Sequence, residues 1–152
     1  MDIVVAAMYH VATKSAGEIR EAIADLAATM WEVQGESGLE AFPVRHHFAP
    51  GSYGREIFLP ARTVIVGKIH RHSHLNVLSA GKVIVLTERG LEELVAPCTF
   101  VSPEGTRRVV YTVEDAVWTT VHVTNETDLA VIERDIIAED YYAIELNPEG
   151  AI

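Results

Sequence analysis

One cysteine, Cys98, stands among the 152 residues of this chain, so no internal disulfide can staple the fold. That usage fits a reducing compartment or indifference to redox. No apolar run approaches the roughly 18–20 residues that a membrane span needs. The first residues, Met1-Asp2-Ile3-Val4-Val5-Ala6-Ala7, carry an acid where a signal peptide carries lysine or arginine. Secretion is therefore not expected, and a cytoplasmic location is. Cations are scarce: 12 Lys and Arg face 22 Asp and Glu, for a formal net charge of −10. Phosphate binding rests on clustered cations, so nucleic acid is not expected as a partner. Gly51 and Gly54 lack the lysine and following helix of a phosphate loop, which gives nucleotide hydrolysis no support.

What is present is ordinary globular usage, 49% hydrophobic and 22% charged residues. The length suits one domain, and a chain of this size buries roughly 68–70% of its unfolded surface without staples. The charge is uneven. Residues 45–112 hold nine Lys and Arg against five acids, and the flanks hold three against seventeen. A basic middle between acidic ends suggests that the middle meets something anionic, although a solvated strand face with scattered arginines gives the same count.

Ser15-Ala16-Gly17-Glu18 forms a capping box at a helix start. Behind it Ile19, Ala22, Ile23, Leu26, Ala27, Met30 and Val33 make one apolar stripe at helical spacing, with Gly35 and Gly38 as the stop. The first forty residues thus read as a lead-in and one helix whose stripe is packing. From Pro43 to Thr124 short β-branched runs alternate with turn signals. They predict strands over 55–59, 63–72, 75–78, 82–87, 91–95, 99–102, 108–112 and 116–122, with His46-His47 in a loop-like stretch before them. Many short strands with no helix inserted mean an all-β sandwich or barrel. A second helix is expected from Asp128 to about Glu139, with Leu129, Ile132 and Ile136 on one side. The whole reads as one domain: a helical lead-in over 1–42, a β-barrel over 43–124, and a C-terminal helix and tail over 125–152. Trp31 and Trp118 read as core, Cys98 as buried and inert, and His10 as incidental.

His70-Arg71-His72-Ser73-His74 alternates strictly. On one continuous strand all three imidazoles point the same way, together with Lys68. Neutral imidazoles converging on one side can bind a transition metal; an exposed polar strand face without a metal is the alternative.

The stretch from Gly67 through His70, His72 and His74 to Gly81 resembles the first cupin motif, G-x5-H-x-H-x3-4-E-x6-G, ending in a hairpin at Val77-Leu78-x-x-Gly81. Pro97 to Arg108, with Pro103-Glu104-Gly105, resembles the second, G-x5-P-x-G-x2-H-x3-N. The Gly67-Lys68-Ile69-His70 run and the stretch from Glu114 to His122 also resemble small cupin-like proteins of tailed phages. The resemblance implies a cupin jelly roll (a double-stranded β-helix) with a helix at each end. It also implies a homodimer or higher homo-oligomer in the host cytoplasm or on a virion.

The departures from the motifs matter as much. The place of the metal-binding glutamate is taken by His74, and that of the last metal histidine by Arg108, a permanent cation that cannot ligate one. Two outcomes stay open. His70, either His72 or His74, and His122 could form a rebuilt site of three nitrogen ligands, holding a divalent transition metal such as zinc, iron, nickel or manganese. Otherwise Lys68, Arg108, Tyr111 and the histidines line a cationic pocket for an anionic small molecule. Three functions follow from the resemblance: a small-molecule-binding cupin, a non-enzymatic phage accessory or virion protein using the cupin for assembly, and a cupin isomerase or metal-dependent oxygenase.

Overall fold

Ser15 starts a helix with the serine half of the capping box: its Oγ accepts from the Glu18 amide at 3.3 Å, while the Glu18 carboxylate accepts from the Ser15 hydroxyl at 2.9 Å rather than from its amide. The computed structural model describes residues 2–34 and 42–138. The glycine stop after this helix, the side chains of Trp31 and Val33, and the chain beyond Ala138 lie outside what is described. Helix α2 spans Ala16–Gln34. The lead-in is itself a helix, α1 (Ile3–Ala12), capped by the Asp2 carboxylate on the Val4 amide.

The strands are β1 (Val44–Ala49), β2 (Ser52–Leu59), β3 (Val64–Val66), β4 (Ile69–His70), β5 (His74–Ala80), β6 (Lys82–Thr87), β7 (Gly90–Val95), β8 (Cys98–Ser102), β9 (Val109–Thr112) and β10 (Ala116–His122). Helix α3 (Leu129–Ile136) and a two-residue strand β11 (Ile137–Ala138) follow. All described strand pairs are antiparallel: a five-stranded sheet β1-β2-β10-β5-β8, a four-stranded sheet β3-β9-β6-β7, and the pair β11-β4.

Alternation along the strands builds the layers. Ile57 and Leu59 of β2, Leu78 of β5, Val83 and Val85 of β6, Val110 of β9 and Trp118 of β10 meet in one buried cluster. The opposite face of the four-stranded sheet (Val66, Ile84, Leu86, Val109 and Tyr111) packs under Val5 and Met8 of α1 and Ile19 and Ile23 of α2. Strand β6 is thus buried on both faces, which explains its unbroken apolar run. Ile132 and Ile136 of α3 pack on Tyr53.

Four expectations are corrected here. The predicted strand 63–72 is broken into β3 and β4 at Gly67-Lys68, and it ends at His70, because Arg71 and His72 form a bend before β5 begins at His74. The stretch around His46-His47 is not a loop but the edge strand β1, whose residues after Val44 are all exposed. The Gly81 turn is a corner between the two sheets rather than a hairpin within one, since β5 and β6 belong to different sheets. The last helix stops at Ile136, where the chain extends to pair Ile137 with His70.

Candidate functional site

The inward face of β2 carries Tyr53, Arg55, Ile57 and Leu59 at every second position, and that of β10 carries Trp118, Thr120 and His122. With Ile65, Gly67, Lys68, His70, Asn76, Arg108 and Val110 they enclose a cavity of about 310 Å3 between the sheets. Its floor is apolar. Its mouth is covered by Leu129, Ile132, Glu133 and Ile136 of α3, and Glu133 forms an ion pair with Lys68.

Three of the four histidines proposed from sequence come together, and two of them, His70 and His122, line the cavity. The ring centroids of His70 and His74 are 4.3 Å apart, those of His74 and His122 4.9 Å, and those of His70 and His122 5.3 Å. Since the chain bends at residues 71–73, strict alternation fails there and His72 is not stacked in this group. Its carbonyl accepts from His74 Nδ1 at 3.2 Å, which leaves the His74 Nε2 lone pair facing inward. His70 Nδ1 and His74 Nε2 are buried with no hydrogen-bond partner.

Burial holds all three rings neutral. It pushes His70 down to about 2, with His74, His122 and Arg108 adding repulsion. His122 falls to about 4 through burial and then the nearby His74, His72 and Arg55. His74 is lowered mainly by burial.

Neutral imidazoles with unpartnered nitrogens suit a transition metal in kind. Their disposition is another matter. Among the described residues, no three histidine, cysteine, aspartate or glutamate side chains are arranged to hold an ion as they stand. The His70 and His122 planes are only 13° apart and stacked.

The Arg108 guanidinium reaches the five-stranded sheet beside these rings, at Ser102, which pairs with His74 across the β5–β8 ladder. It donates to Ser102 Oγ and lies 5.5 Å from the Phe100 ring centroid and 5.7 Å from that of Trp118. Asn76, fully buried, steadies this wall: its Nδ2 donates to Ser102 Oγ at 2.6 Å, and its Oδ1 accepts from Trp118 Nε1 at 3.0 Å. Lost hydration lowers Arg108 to about 10, so it remains charged at neutral pH. Among the described residues no carboxylate forms an ion pair with it.

Lys68 lines the cavity as expected, but Tyr111 does not. On β9 Val110 faces the cavity, so Tyr111 faces the helices, where its hydroxyl donates to Asp2 Oδ2 at 2.9 Å. Sequence reasoning missed Arg55, Tyr53 and His46. The Tyr53 hydroxyl and His46 Nδ1 are 2.6 Å apart at the mouth, and the Tyr53 ring stacks beside His122 at 6.3 Å. The signal was there for Arg55, a cation on the apolar side of an alternating strand. His47 points away to Glu56 at 3.2 Å, so the two adjacent histidines do diverge. Trp118 is core, as expected, and Cys98 is only partly buried.

No protein-family model matches the sequence, and no curated protein matches it. Solved structures do match. KdgF from Halomonas sp. superposes with a TM-score of 0.50 at 16% identity, over 59% of this chain and 84% of its own. A cupin 2 conserved barrel domain protein from Salinispora arenicola CNS-205 gives 0.47 and 15%, over 61% and 81%. An acetylacetone dioxygenase from Acinetobacter johnsonii gives 0.44 and 16%, over 54% and 58%. At such identities the likeness concerns the fold. The chain has the cupin fold, mostly antiparallel β with three described helices. The resemblance to phage proteins gains no support from these structures. Among the described residues no helix is long and apolar enough to cross a membrane.

Proposed function

We propose that the barrel cavity binds a small anionic molecule whose negative charge lies against Arg108. One observation carries this: a desolvated guanidinium lines the cavity, held by a hydroxyl and two aromatic faces, with no carboxylate paired to it among the described residues. A buried charge without a counter-charge is costly, and a carboxylate or phosphate accepts the arginine fork in two places. The apolar floor suits the body of such a ligand, as small-molecule pockets commonly combine apolar walls with a few placed polar groups.

Thermal unfolding at low salt with a panel of small carboxylates tests the reading. An anion present at a hundred times its Kd stabilises the wild type by about 2.7 kcal/mol. Arg108→Gln removes that gain, and Arg108→Lys keeps part of it. An equal gain in Arg108→Gln contradicts the reading.

A second reading is favoured by the two unpartnered nitrogens: His70, His74 and His122 hold a divalent metal beside the anion. A bound metal would act as a Lewis acid on a ligand oxygen. Elemental analysis of protein purified without chelator or affinity tag should then find metal that His70→Ala and His122→Ala both lose. Unchanged metal content in both variants removes this second reading.

A further inference from the structure

Two guanidinia, not one, face the cavity without a carboxylate partner. Arg55 lies on the inward face of β2, directly across the ladder from Thr120 of β10. Arg108 lies over Trp118, two residues along β10 on the same inward face. Trp118 and Thr120 are about 7 Å apart along the strand, so the two arginines are anchored beside one stretch of cavity wall. Among the described residues neither side chain is in an ion pair.

Arg89 and Glu92 also act on Arg108, with opposite signs, but among the described residues neither is in an ion pair with it. Lys68 and Glu133, the other cation and the acid lining the cavity, are paired with each other. Glu56, next to Arg55 in sequence, points to the outer face and bonds His47. His74 and His122 are buried and His70 half-buried, and an imidazole supplies no compensating negative charge.

We infer that the ligand carries two separated anionic groups, one received by Arg108 in the cavity and one by Arg55 nearer its mouth. This rests on the anion-binding reading above and narrows it to a class: short dicarboxylates, or a carboxylate bearing a second acidic group at the other end. The volume also limits the body. About 310 Å3 has room for roughly ten waters' worth of ligand, enough for a short chain or single ring between the two acids. Tyr53 and Thr120, both on the wall near Arg55, offer hydroxyls to the outer anionic group.

Calorimetric titration at low salt with matched probes tests this directly: succinate, glutarate and adipate against butyrate and monomethyl glutarate. In the wild type the best dicarboxylate should bind at least tenfold more tightly than its monoanionic partner. Arg55→Gln should bring the two within twofold, and Arg55→Lys should restore part of the preference. Dianion and monoanion affinities within twofold in the wild type, both lost in Arg108→Gln, overturn the second anion position and leave single-anion binding standing. A tenfold preference that survives Arg55→Gln overturns the role of Arg55. No binding of any probe overturns both.

Discussion

His122 shows how burial decides a side chain's chemistry. Exposed, its imidazole would titrate near 6.5; under burial and beside His74, His72 and Arg55 it titrates at about 4. The unfolded chain therefore takes up a proton at a pH where the folded protein does not. Stability is fully present above about pH 6.5 and declines as pH falls towards 4, with at most about 3 kcal/mol at stake from this group. His70, lower still, adds to the decline over the same range and below it. Urea unfolding of the wild type between pH 7.5 and 4.5 should show that loss, and His122→Asn should show a shallower one. Parallel pH profiles for the two proteins would mean that His122 is not held neutral by the fold.

The residue scale is also where the sequence was least legible. Arg108 stands just before β9 and Tyr111 within it, yet both were expected to line one cationic pocket. Parity alone separates them: Val110 takes the cavity side with Arg108, and Tyr111 goes to Asp2. His72 was lost for a different reason. The bend after His70 is encoded by no glycine or proline, so the strict alternation gave no warning of it.

At the scale of elements, long apolar strands were plain and marginal ones were hidden. Strands β6 and β10 match the expected bounds residue for residue, because their apolar runs end at clear turn signals. Edge strand β1 carries Arg45, His46 and His47 and buries almost nothing, so no alternation marks it. Helix α1 was hidden in another way: Ile3-Val4-Val5 is β-branched, and its few polar residues give weak helical periodicity. The corner at Gly81 is the element-scale feature most exposed to test. Its φ of +91° is strained for a side chain, and an added Cβ would meet the Asp115 carbonyl oxygen at 2.3 Å. Gly81→Ala should therefore destabilise by about 2 kcal/mol or more, read as a lower denaturation midpoint. Gly17→Ala, with open space around it, should not destabilise. Similar losses in both variants would contradict the close approach at the corner.

For the whole molecule, the arrangement of two sheets with helices at both ends followed from the strand rhythm and the motif spacing. The division of labour between the ends did not. Helices α1 and α2 cover the outer face of the four-stranded sheet, and α3 covers the cavity mouth through Ile132, Ile136 and the Glu133–Lys68 pair. That difference depends on long-range packing, which no local pattern reports. Its consequence is one cavity under α3 that His70, His122 and Arg108 line together, with His74 beside them. Titration of isotope-labelled protein with glutarate, followed by NMR at arginine Nε–H and histidine ring resonances, tests this most directly. Saturable shifts at Arg108 and at His70, His74 and His122, with His10 and Arg62 unmoved, are the predicted result. Shifts confined to Arg62 and the helical face, or none at Arg108, would contradict it.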